Sequence, residues 1–517
     1  MGLLPLSRLI SMRRGRRRCT IQGRNGLVTS SAAKRKDSPS RQDDNARSDK
    51  KMRYSGPTLP EDIWWHIHSL MRLRDAARVA CVSRSFRRSW KYYPNLIITR
   101  ESLGLKDRKY GRSFKVCSGL ARKTDYILKN HSGIGVKALE LQIAEFPKFS
   151  TSCDLYRWLR IAVRPGIEKL DLRLELHSRD AALYNFPCSL LLDGSGKSIR
   201  HLRLSNCAFC PTAGRSCLRS LTNLELCGVR ITGDELGYLL SGSVALEKLK
   251  LMYCPELFSL KIPSLLQRLD HLIVFDCEDL QVIESKAPNL YSFRYTGGLV
   301  RLALGDSLRD FEISSSGWDS VNYACENLPC MLPNLEALDI RSRYVRETPV
   351  IPEKFLNLQL LCIGFFSPDY DYFSLVSLLD ACPSLETFVL YVQPDRVEQE
   401  SVLGDSSHDL RQMPGHLHGN LRDVQIIGFC SARSIVELTC HILENAKSLE
   451  CLTLTTFYGE IWCSQRKKDK CLPLSRDMIM EAHKALLVVQ RYIVGNVPSS
   501  VELKVVEPCS RCNTLEI

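Results

Sequence analysis

The chain has 517 residues, 44% hydrophobic and 25% charged, enough for two to four ordinary domains or one elongated array. No window approaches the ~18 consecutive apolar residues of a membrane span, so the composition predicts a soluble, intracellular body with no membrane partner. Of the net charge of +14, residues 1–56 carry +11 (15 Lys and Arg against 4 Asp), which leaves +3 for the other 461 and argues against a nucleic-acid surface there.

The first 56 residues form a basic tail, poor in aromatics and expected to be disordered. Its start, "MGLLPLSRLISMRRGRRRC", places apolar residues before charges, the reverse of a secretory signal. Leu6 stands where myristoylation needs Ser or Thr. Two basic runs, Lys34–Arg35–Lys36 and Lys50–Lys51 with Arg53, suit the acidic groove of an import receptor. A solvated charge run and an organellar transit peptide are the other readings, and the expected location is the nucleus and/or cytoplasm.

Residues 57–93 predict three short helices. In "LPEDIWWHIHSLM" Pro60 suits a first helical position, and Glu61 and Asp62 complement the positive end of the helix dipole. At 100° per residue, Ile63, Trp64, Ile67, Leu70 and Met71 share an apolar stripe about 120° wide. Trp65 points to the far side and is expected to pack on the third helix, pack on the first repeats, or lie exposed. A second helix spans roughly 75–80. A third opens at Ser83 and aligns Phe86 with Trp90. Three helices of this size cannot bury enough surface to stand alone.

Over 94–474 the template L-x-x-L-x-L-x-x-[C/N] recurs: "IRHLRLSNC" from Ile199, "LEKLKLMYC" from Leu246 and "LDHLIVFDC" from Leu269. Looser copies begin at Val136, Ile167, Leu221, Leu335, Leu385, Leu421 and Leu449. A spacing of 22 to 25 residues between 199 and 269 predicts a leucine-rich-repeat solenoid. Each L-x-L is a short strand, and stacked strands make one parallel sheet over a continuous core. The intervening residues then face the concave side and are candidate target contacts: His201, Arg203, Lys248, Lys250, His271 and Phe275. The fold class is α/β, with a polar insertion near 394–420 and a C-terminal helix, strand and cap over 475–517.

The 22 cysteines read as reduced thiols. Cys207, Cys254 and Cys277 fall at the C/N position, where a small side chain packs inward. "CAFC" would need two further ligands, such as Cys217 and Cys227, to hold zinc, so no metal is expected there. Cys509 and Cys512 read as free thiols. His408, His416 and His418 lie in the polar insertion with no carboxylate or cysteine to complete a site. "GSGKS" at 194–198 lacks the earlier glycine of a phosphate loop (position 191 is leucine) and leads into a strand, so it reads as a tight turn. No catalytic arrangement assembles, and no enzyme activity or cofactor is expected.

Leu-Pro opening a helix, Ile67 and Leu70 on one face, and "VACVSRSFRRSW" together resemble the F-box. With "SWKYYPNLIITRESLGL", the repeats and "HILENAKSLECLTL…VPSSVELKVVEPCSRC", most of 57–512 resembles plant F-box/leucine-rich-repeat proteins with an FBD-type C-terminus. That resemblance implies a substrate receptor of an SCF-type ubiquitin ligase. Its F-box would bind a Skp-type adaptor that bridges to cullin and RING subunits, and its repeats would hold an unnamed target. It also implies adaptor-facing roles for Leu59, Pro60, Ile63, Trp64 and Ile67, with Val82 and Trp90 as internal packing. A repeat scaffold whose degenerate F-box no longer binds is the competing reading.

Overall fold

The computed structural model describes residues 60–82, 84–104, 114–143, 150–175, 183–192, 194–211, 218–315, 317–342, 345, 351–365, 368–404, 410–413, 417–458 and 474–509. Leu59, the basic tail with both basic runs, His408, His416, Cys217 and Cys512 lie outside them. Three helices, α1 (Glu61–Ser69), α2 (Leu73–Val82) and α3 (Arg84–Trp90), precede a single 15-stranded sheet that runs from Asn95–Ile98 to Glu502–Val506. Every neighbouring pair in that sheet is parallel and in register. The described residues form a leucine-rich-repeat solenoid with the sheet on its concave face, preceded by the three-helix unit.

The alternation of the template builds the rungs. In His201–Ser205, Asn223–Cys227, Lys248–Met252 and His271–Phe275 the second and fourth residues are buried. Leu202, Leu224, Leu249 and Leu272 meet as register partners, as do Leu204, Leu226, Leu251 and Val274. Side-chain amides tie the rungs at the strands' entry. Asn289, Asn334, Asn357 and Asn420 donate to the carbonyls of Gln267, Asp306, Pro333 and Pro383 in the rung before.

The exit corners repeat too. Asn206, Tyr253 and Asp276 sit at φ of 54°, 51° and 45°, and Gly228 and Gly428 at 62° and 87°. This left-handed turn aims each amide at the next strand's last carbonyl, as in Asn206 N to Cys227 O at 2.8 Å and Tyr253 N to Phe275 O at 2.8 Å. The following Cys207, Cys254 and Cys277 point inward and are buried, as their template position requires. On the convex side a small parallel sheet, Ser259–Ile262, Val282–Ser285 and Arg301–Ala303, backs the shortest repeats. Later repeats carry helices there instead, including Ser320–Met331 and Arg433–Asn445.

Candidate functional site

The three-helix unit is organised by a histidine. His68 is buried between the helices, with Nε2 3.0 Å from the Ala76 carbonyl and Nδ1 2.8 Å from the Ser89 hydroxyl. A neutral ring satisfies both, with Nε2–H donating to the carbonyl and Nδ1 accepting from the hydroxyl. Phe86, Trp90 and Tyr93 enclose it at centroid distances of 5.2, 6.1 and 5.5 Å. Burial holds its pKa below the ordinary imidazole value.

Around His68 the inward face of α1 is Trp64, Ile67 and His68, continued by Met71 just past the helix. Trp64 meets Phe86 edge to face at 4.9 Å. This face is centred near the Trp64 direction, so Ile63 and Leu70, at the edge of the apolar stripe, turn outward and are 41% and 74% exposed. Pro60 is exposed and stands just before the helix rather than in it. Val82, expected inside, is instead 86% exposed. It lies nine residues after the buried Leu73, half a turn round the helix, so α2 carries it away from the core. Trp90 does pack inside, stacked on Tyr93 at 5.7 Å. Trp65 lies over Tyr92, just past α3, at 5.1 Å and keeps 41% of its surface exposed.

The second site is a groove of ≈ 480 Å³ on the concave face, crossing the strands from Lys169–Leu174 to Ser292–Thr296. His201, Arg203, Lys248, Lys250 and His271 all line it. Phe275 is on the same face but outside the groove, in an edge-to-face contact with Tyr253 at 5.2 Å. Lys169, Asp171, Arg173 and Arg294 also line it and were absent from the candidate residues. The first three alternate in "IEKLDLRLE", so the repeat phase already marked them as concave. Arg294 sits in a rung whose Phe293 and Tyr295 replace the template leucines and conceal the repeat.

Ion pairs knit the middle row of this face. Asp171 accepts from Arg173 at 3.0 and 2.7 Å. Glu140 pairs with Lys169 at 3.3 Å and Arg173 at 3.0 Å. Glu225 lies between Arg203 at 3.4 Å and Lys250 at 3.2 Å, and Arg294 meets Glu312 at 3.3 Å. Beyond Arg294 the surface turns acidic and closes. Asp339 grips Arg341 at 2.6 and 2.9 Å, both buried, and the guanidinium lies 4.0 Å from the centre of the Tyr391 ring. Burial, reinforced by the Asp339 carboxylate, pushes Glu312 up to about 7.

Among the described residues no group of three or more His, Cys, Asp and Glu could hold a metal, and no helix is long and apolar enough to cross a membrane. Within 417–420, His418 packs on His441 at 5.9 Å, with Asp380 at 3.8 Å. The "GSGKS" segment is a short 3₁₀ turn entered through Gly194 at φ 87°.

Two family models match the chain. The At1g61320/AtMIF1 leucine-rich-repeat domain covers residues 127–510 and the F-box domain residues 57–97. Three Arabidopsis thaliana proteins are similar. The putative F-box/FBD/LRR-repeat protein At5g56810 is 26% identical, over 77% of this chain and 89% of its own length. The FBD-associated F-box protein At3g52670 and the F-box/FBD/LRR-repeat protein At3g26920 are each 23% identical, over 77% of this chain and 88% of theirs. With an F-box ahead of a repeat domain that fills most of its length, the chain belongs to the plant F-box/leucine-rich-repeat proteins.

Proposed function

We propose that the chain is the substrate-recognition subunit of an SCF-type ubiquitin ligase. The three-helix unit docks on a Skp-type adaptor, which bridges to cullin and RING subunits, and the concave face holds the target. The observation that supports this best is the pairing of an F-box with outward-facing apolar residues and a solenoid with a formed groove. Pro60 and Ile63, with Leu59 preceding them, supply adaptor-facing surface. Trp64 and Ile67 contribute their exposed edges while holding α1 to the His68 core. The chain then works without chemistry of its own. A target lysine held near the charged conjugating enzyme meets it at a raised effective concentration. Import through the Lys34–Lys36 and Lys50–Arg53 runs would give this receptor access to nuclear targets.

Co-purification with a Skp-type adaptor tests the reading. The wild type is expected to retain the adaptor, and a Leu59→Ala/Pro60→Ala variant to lose it. Equal retention by both, or by neither, favours a scaffold outside any ligase.

A further inference from the structure

We propose that the concave groove takes an acidic, extended segment of the target, about seven residues long, and that the carboxylates beyond it set where that segment ends. This deepens the receptor reading and rests on it for the word target. The six cations lining the groove outnumber its two carboxylates, Asp171 and Glu225. That excess does not come from a generally basic body, since residues 57–517 carry only +3.

The charges are ordered by row. In the middle row Asp171, Arg203, Glu225 and Lys250 follow one another across the register and answer each other. In the outer row Lys169, His201, Asn223, Lys248, His271 and Ser292 follow across all six strands of the groove. Asp270 touches that row only at its edge, with Oδ1 2.7 Å from His271 Nδ1. Lys248, exposed between Asn223 and His271, lines the groove with no carboxylate in register beside it.

The next register positions reverse the sign. Ser292 is followed by Asp310, and Arg294 by Glu312 and then Asp339. Asp310 is buried, accepts from the Ser292 hydroxyl at 3.0 Å and has its other oxygen without a hydrogen-bond partner among the described residues, so where the groove offers cations this wall offers carboxyl groups to a further acidic residue. Six strands span five steps of about 4.8 Å, or about 24 Å, which an extended peptide covers in roughly seven residues at about 3.3 Å each. An acidic segment therefore matches the groove in sign and is limited in length by the wall.

The test uses the full chain, purified with its adaptor if the two associate, and fluorescein-labelled peptides read by anisotropy. The probes are a seven-residue Glu peptide, Gln and Lys peptides of equal length, a fourteen-residue Glu peptide and a seven-nucleotide oligouridylate. The Glu peptide is expected to bind at least tenfold tighter than the Gln and Lys peptides and the RNA. Lys248→Gln/Lys250→Gln, which removes charge at two surface positions, is expected to weaken it at least about fivefold with an unchanged melting temperature. Lengthening to fourteen residues is expected to gain less than threefold. Equal binding of Glu and Gln peptides, an unaffected double variant, tighter RNA binding, or a tenfold gain on lengthening overturns the inference. Adaptor retention is read on the same samples, so failure of peptide binding with the adaptor retained leaves the receptor reading standing. Peptide binding without adaptor defeats only the latter.

Discussion

His68 joins the first helix to the second and third through its two ring nitrogens. A polar ring at the meeting point of three short helices is tolerated only because both nitrogens are answered, and it stays neutral because burial disfavours the cation. Its folded pKa lies below the unfolded value of about 6.5. Below that value the unfolded chain binds the proton more readily, so the stability of the unit falls as pH drops through the window and is flat above it. Thermal melts of the wild type are expected to lose midpoint between pH 7 and 5, and His68→Phe to remove that dependence for this unit. An unchanged slope in the variant would contradict the role. His68→Ala opens a cavity and removes both of the ring's hydrogen bonds, for a loss of about 2–4 kcal/mol by denaturant titration. Trp65 has a smaller part. Half exposed over Tyr92, it is expected to cost about 0.5–1.5 kcal/mol as Trp65→Ala.

At the scale of the element, the exit corner is the unit that lets strands stack. Gly428 shows the constraint most sharply: at φ 87°, a Cβ there would sit 2.1 Å from the Val392 carbonyl oxygen. Gly428→Ala is expected to destabilise by at least about 1–2 kcal/mol, seen as a lowered denaturation midpoint, because the corner cannot relax without losing Gly428 N to Thr455 O. The insertion after strand Thr387–Tyr391 is anchored rather than loose at its described residues. Arg411 reaches Asp371 at 2.7 and 2.8 Å and the buried Glu437 at 2.7 Å. Arg433 also holds Glu437, so Arg411→Ala should cost roughly 2 kcal/mol, less than the 3–5 of a fully buried pair. Hydrogen exchange over 397–404 and 410–413 should quicken in that variant. Unchanged protection would show that the anchor is idle.

For the whole molecule, the solenoid was legible where leucine filled the template. Ten starts from Val136 to Leu449 each coincide with a strand of the sheet. Five strands lie outside those ten copies, one of them, Glu502–Val506, in the segment where a C-terminal strand was expected. Ser292–Thr296 and Asp310–Ser314 place Phe293, Tyr295, Phe311 and Ile313 at the inward positions, so rings stand in three places where the template has leucine, whereas Leu358, Leu361 and Ile363 keep the template's spacing at Leu360–Phe365 and were overlooked. Asn95–Ile98 and Glu502–Val506 are the end strands, each with one neighbour in the sheet. The groove was half legible: repeat phase gave the concave residues, but which of them converge depends on ion pairing and curvature that no single rung records. The helical unit, expected to need support, leans on the repeats: Met71 and Trp90 pack on the core that continues into them, and Tyr93 donates to the Met71 carbonyl at 2.7 Å. Val82 shows the limit, because a helix of ten residues must expose one apolar side chain when its buried face is only Leu73 and Ala76 wide.

The claim that this architecture is a ubiquitin-ligase receptor is tested most directly by affinity purification of the full chain with a Skp-type adaptor and cullin, quantified against Leu59→Ala/Pro60→Ala. The account predicts stoichiometric adaptor and cullin with the wild type and at least about a tenfold loss with the variant, whose solenoid stays folded. A wild type that recovers no adaptor, or a variant that recovers as much, would contradict it.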